Sequence, residues 1–161
     1  MLRDAVPQVV VDDDRVADPV GGETCLHASC VALSGAGVVL VGPSGSGKSD
    51  VALRLIDAGG RLVADDRLVV ERRGGHLLGR APETLAGLIE ARGLGIMKVE
   101  HCPSAPLCLI VELGEVSRSS RLPERRTFEL LGLAVPCVRL DAHAASTCAK
   151  IKLALIAERV E

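Results

Sequence analysis

Gly42-Pro43-Ser44-Gly45-Ser46-Gly47-Lys48-Ser49 has the residue types and spacing of a phosphate cradle, G-x-x-x-x-G-K-[ST]. Glycines let backbone N–H groups turn inward onto phosphate oxygens, and a helix starting there adds the partial positive charge of its N-terminus. In such a loop Lys48 reaches the β- and γ-phosphates, and the Ser49 hydroxyl takes one position on Mg2+. The flanks supply the context that the motif needs. Residues 37–41 read as a short buried strand, and residues 50–57 place apolar side chains at helical spacing. The expected ligand is a nucleoside triphosphate or a close phosphate analogue.

Phosphoryl transfer needs more than a cradle: an acid for the metal and a group to accept the nucleophile's proton. Asp65-Asp66 ends an apolar run about sixteen residues beyond the loop, and strand carboxyl ends line the ligand crevice of α/β sheets. The pair could equally cap a helix or close a solvated turn. The next candidate is Glu90-Ala91-Arg92-Gly93-Leu94-Gly95-Ile96. Its two glycines permit unusual φ angles and a close backbone approach to a ligand. Glu90 could join the metal and Arg92 neutralise a migrating phosphoryl group, against the plain alternative of a structural turn.

These residues must be held by something, and composition narrows what. The chain has 161 residues, 48% of them hydrophobic, but its one aromatic residue is Phe128. That length suits a single domain with a proper core. The core must be built from Val, Leu, Ile and Ala, as in a packed sheet with helices. No aromatic platform is available for stacking bases, which argues against nucleic acid as a partner. A net charge of −2 provides no global field for nucleic acid or an anionic membrane. No segment has the unbroken apolar length of a membrane span, and the first residues lack the apolar run of a secretory signal. Six cysteines (Cys25, Cys30, Cys102, Cys108, Cys137 and Cys148) lie in apolar stretches without CxxC spacing. They read as buried free thiols in a reducing cytoplasm. Cys25 and Cys30 flank His27, but residues five apart on one strand face opposite ways, so burial is expected rather than a metal site.

Residues 1–20, with Asp12-Asp13-Asp14, Pro7 and Pro19, read as a loosely held arm before a catalytic domain over 21–161. Residues 24–33 are expected as a first strand, with Ser34-Gly35 turning into the strand before the loop. Ala58-Gly59-Gly60 should stop the helix after the loop. Strands are expected at 61–64 and 107–113, a hairpin at 68–71 and 76–78, and a closing pair at 127–131 and 135–140. Residues 84–90 suit either a helical turn or a strand, and 144–160 a last helix displaying Lys150 and Lys152. The order is not a clean βαβ alternation. The expected fold is therefore α/β with a mixed sheet in a single P-loop domain.

Taken in order, His27, the glycine loop, Leu62-Val63-Ala64-Asp65-Asp66 and the segment around Glu90 resemble the catalytic domain of HPr kinase/phosphorylase. That bacterial enzyme phosphorylates a serine of HPr, the small carrier protein of the sugar phosphotransferase system. The likeness runs from about Leu26 to Ile96, then continues more weakly through Leu131-Gly132-Leu133-Ala134-Val135-Pro136. The resemblance implies ATP and Mg2+ as cofactors, HPr or an HPr-like carrier as partner, and a cytoplasmic location. It implies that Lys48 and the loop backbone hold phosphates, that Ser49 and Glu90 hold Mg2+, and that Asp65 is the general base. His27 falls where the family has a strand histidine. Arg121 aligns with a later family arginine, although Arg118, Arg125 and Arg126 crowd the same loop and could form a solvated basic patch.

Two departures from the pattern accompany the resemblance. Full-length members carry a sizeable N-terminal domain, so this chain resembles a short, catalytic-domain form. The family's Pro-Gly-Arg-Asn run before the final helix is missing; the matching region reads Asp141-Ala142-His143-Ala144-Ala145-Ser146-Thr147-Cys148-Ala149-Lys150, where Lys150 could supply a charge but not arginine's planar fork. That run is tied to phosphorolysis of seryl-phosphate, so weak phosphorylase activity is expected and the family's hexamer is in doubt. Apolar edges and short helices remain compatible with a homo-oligomer. The competing readings are an ATP-sensing regulatory module without transfer activity and a small-molecule kinase on a related fold.

Overall fold

Period-two alternation in the strand before the glycine loop decides which layer each side chain joins. In β3 (Ala36–Val41), Val38 and Leu40 enter one buried cluster, and Val39 and Val41 enter another. The computed structural model describes residues 22–116, 123–157 and 160, and every strand here belongs to those residues. The expected arm at 1–20 and Arg121 lie outside them.

β3 sits near the middle of a mixed sheet. It pairs antiparallel with β2 (Ser29–Leu33) and parallel with β9 (Ala105–Leu113). β2 also pairs with β4 (Arg61–Ala64), which closes one end of the strand order. In the other direction β9 pairs with β6 (His76–Arg80), β6 with β5 (Leu68–Arg73), and β5 with β1 (Glu23–Leu26). β9 further takes β11 (Leu133–Leu140) in parallel, and β10 (Arg126–Leu130) completes a hairpin with β11. A separate two-stranded ribbon joins β7 (Leu88–Ala91) to β8 (Gly95–Lys98).

Both faces of this sheet are covered. Val31, Leu33, Val38, Leu40, Leu109 and Val111 pack with Val51, Ala52 and Leu55 of α1 (Lys48–Asp57) and Ile151 of α2 (Thr147–Ile156). The other cluster is made between sheet strands, where Val39, Val63, Leu68, Val70 and Ile110 meet Phe128, Leu130 and Val135. The expected α/β fold with a mixed sheet is what the chain forms.

Several expectations need correction. Residues 24–33 form two strands rather than one, broken at His27-Ala28, because β1 bonds β5 while β2 bonds β3 and β4. Cys25 and Cys30 therefore belong to different strands. None of the six cysteines is in a disulfide, but only Cys25, Cys30 and Cys137 are buried; Cys108 is exposed, and Cys102 and Cys148 are half-buried. Burial pushes the Cys30 thiol far above its ordinary pKa, which keeps it protonated. Residues 83–85 form a short 3-10 turn and strand β7 begins at Leu88, so both readings of that stretch are partly realised. The last helix starts at Thr147, later than expected, because Asp141 to Ser146 form a loop. Among the described residues no helix is long and apolar enough to cross a membrane.

Candidate active site

Strand β3 ends at Val41 and the chain turns through the glycine loop into α1, whose N-cap is Gly47 at φ 99°. That left-handed angle suits glycine, and a Cβ there would lie 2.9 Å from Ala142 Cβ. The first-turn amides of α1 have no earlier carbonyls to bind, so they are available to an anion in front of the loop. Lys48 is almost buried; its Nζ donates to Gly42 O at 2.7 Å and Pro43 O at 3.1 Å. Burial lowers its pKa below the usual lysine value, and the Asp66 and Asp65 carboxylates oppose that effect. The ammonium thus sits inside the cradle, on carbonyls it could exchange for phosphate oxygens.

Asp65 follows β4 and is 9% exposed. Its Oδ1 accepts from Ser49 Oγ at 2.8 Å and from Ser29 Oγ at 2.8 Å. Its Oδ2 accepts from the Glu90 backbone N–H at 3.1 Å. One carboxylate therefore joins β2, the loop serine and the β7–β8 ribbon. A buried carboxylate must have such donors, or its desolvation would be costly.

Asp66 faces a different environment. Its φ of 66° puts a non-glycine residue in the left-handed region, and Arg67 N–H closes the turn on Asp65 O at 2.8 Å. The Asp66 side chain is largely exposed, and its Oδ1 lies 3.3 Å from Nε2 of His27, at the break between β1 and β2. Two adjacent acids thus have opposite surroundings: one held by three donors, the other open beside an imidazole.

The structure brings His27, Ser29, the glycine loop, Asp65, Asp66 and the Glu90 backbone into one neighbourhood. The Glu90 side chain is exposed, and Arg92 lies in the exposed turn of the ribbon. Gly93 and Gly95 bracket that turn at φ 91° and 99°, the unusual angles expected of them. Among the described residues no three His, Cys, Asp or Glu side chains form a metal cluster. The oxygen donors present, a seryl hydroxyl and carboxylates, suit Mg2+, which keeps waters and phosphate oxygens in most of its positions. Ser29 escaped the sequence reading. A buried serine within the apolar run 24–33 was the available signal, since a buried hydroxyl needs a partner.

Comparisons with known proteins point to one family. In curated proteins, 84 residues of the chain are 46% identical to HPr kinase/phosphorylase of Clostridium beijerinckii, covering 52% of this chain and 28% of that protein. Over 129 residues it is 37% identical to HPr kinase/phosphorylase of Prosthecochloris aestuarii, covering 73% of this chain and 38% of that one. The chain thus spans well under half the length of these relatives. Among solved structures, the Hpr(Ser) kinase/phosphatase from Coxiella burnetii superposes with a TM-score of 0.70 at 26% identity, over 80% of this chain and 91% of that one. The family model for the HPr Serine kinase C-terminal domain matches residues 19–159, and the chain belongs to that family.

Proposed function

We propose that this chain is an ATP- and Mg2+-dependent protein-serine kinase domain that phosphorylates HPr or an HPr-like phosphocarrier in the cytoplasm. One observation carries the reading: Ser49, Asp65 and Glu90 are joined beside the His27–Asp66 pair. Phosphoryl transfer is mostly positioning and charge stabilisation. The loop amides and Lys48 hold the nucleotide phosphates. Ser49, positioned by Asp65, and Glu90 would hold Mg2+, which neutralises phosphate charge when bound. Arg92, at the rim, and Arg121, outside the described residues, are the cations proposed for the migrating phosphoryl group.

The geometry supports dividing the two acids. Asp65 was the expected base, but its oxygens already face protein donors and it fixes Ser49. Asp66 is open to an incoming hydroxyl and has His27 to share the proton's charge. We therefore assign proton acceptance from the substrate serine to Asp66 and positioning to Asp65. The phosphorylase direction is proposed to be weak, because the loop at Asp141 to Ser146 lacks an arginine to hold inorganic phosphate beside seryl-phosphate.

Purified chain, γ-labelled ATP, Mg2+ and HPr should give label on one HPr serine. Labelled seryl-phosphate HPr with millimolar inorganic phosphate should release label much more slowly than the forward reaction. ATP binding without transfer to any carrier would instead favour a nucleotide sensor.

A further inference from the structure

The segment from Asp141 to Ser146 is built as a tight wedge. Ala144 N–H donates to Asp141 O at 3.3 Å, Thr147 N–H to Ala144 O at 3.2 Å, and His143 N–H to Asp141 Oδ1 at 2.8 Å. Thr147, almost fully buried, donates its hydroxyl to Asp141 O as well. The tip of the wedge, Ala142, is buried and rests on Gly47, where an added Cβ would come within 2.9 Å of Ala142 Cβ. Gly47 is the last residue of the loop before Lys48. The wedge thus backs the part of the loop where amides and ammonium must be aimed.

What presses the wedge against the loop is Arg54, on the third turn of α1. Its Nη2 donates to Ala142 O and its Nη1 to Ala144 O at 3.4 Å. Asp50, one turn earlier on the same helix, lies beside the guanidinium as an i,i+4 ion pair, with Oδ2 3.3 Å from Nε. A planar fork reaches two separated carbonyls with two different nitrogens, one each. Farther along, Lys152 Nζ donates to Ala58 O at 3.2 Å and ties α2 to the end of α1. A glycine-rich loop has high conformational entropy, and its phosphate-receiving shape must be supported from outside.

We propose that Arg54 is a positioning residue: by clamping Ala142 onto Gly47 it keeps the glycine loop in the shape that receives nucleotide phosphates. The proposal rests on the nucleotide-binding reading above. Arg54 does not contact the phosphates in this account; it acts through Ala142.

The test compares Arg54→Ala and Arg54→Lys with the parent chain, using hydrogen exchange without nucleotide and calorimetric ATP binding with Mg2+. In Arg54→Ala, amides of residues 45–49 and 141–147 should exchange faster while those of β9 stay protected. ATP affinity should fall about tenfold, the size of one lost charge-assisted hydrogen bond, with kcat at saturating ATP little changed. Arg54→Lys, which keeps the charge but offers a single nitrogen in place of two spread ones, should lie between. Unchanged exchange in the loop, or faster exchange with unchanged ATP affinity, overturns the clamp. Faster exchange spread equally through β9 also overturns it, since Arg54 would then be a general stability residue. A parent chain that fails to bind ATP defeats the nucleotide reading and with it the positioning role.

Discussion

The glycine loop with its Asp65 anchor and the β7–β8 ribbon are neighbours joined at Glu90, yet they are built in opposite ways. Around the loop, polar atoms are buried and several donors converge on one carboxylate. On the ribbon every residue of β8 is exposed, and Leu94 and Ile96 each stand 73% open. Only the inward side of the ribbon is committed, through buried Ile89 and Ala91 and the Glu90 amide. The part proposed to hold phosphate is fixed from several sides. The ribbon is left open, apolar and inexpensive to change.

The comparison can be broken most decisively at the acid pair. Asp66→Asn should lower phosphoryl transfer to HPr by about 10²–10⁴-fold while ATP affinity stays near the parent value. Asp65→Asn should weaken Mg2+-ATP binding and turnover together, because it disturbs Ser49. Steady-state kinetics with calorimetry separates the two patterns, and the reverse assignment of effects would restore Asp65 as base.

A smaller effect is expected at the cradle. Lys48→Ala removes a charge-assisted phosphate contact and should cost about 1.5–3 kcal/mol of ATP affinity, roughly ten- to a hundredfold. Calorimetry showing unchanged affinity would refute the assignment of the loop.

The smallest effect on folding, and the sharpest test of the contrast, is at the ribbon. Ile96→Ser should change the urea unfolding free energy by no more than about 0.5 kcal/mol, as for an exposed site. ATP affinity should stay at the parent value. Equal loss of stability and ATP affinity would show that the ribbon is part of the packed centre after all.

The strand–loop–helix unit was legible in the sequence because spacing alone defines it, and the mixed sheet followed from the broken βαβ order. The break at His27-Ala28 was not legible. Residues 24–33 carry no Gly or Pro to mark a boundary, and only pairing with different neighbours divides them. The different surroundings of Asp65 and Asp66 were also hidden. Adjacent residues face opposite ways, but which one faces inward depends on Ser29 and Glu90, distant in sequence. Arg54 left no trace beyond its i,i+4 relation to Asp50, because its partners are backbone carbonyls that any residue supplies.

The parallel pairing of β3 with β9 has a consequence for the order of assembly. The strand that carries the glycine loop lacks one of its flanking partners until β9 is made, and the bond from Arg54 to Ala142 spans 88 positions. Contacts between segments so far apart along the chain form slowly, since loop closure must precede any reward. On the ribosome, an emerging chain that already displays the complete Gly42 to Ser49 motif would still lack its seat. On the proposed reading, nucleotide competence is acquired only once β9, β11 and the wedge have emerged, and nascent chains ending before β11 should fail to retain ATP although their motif is intact.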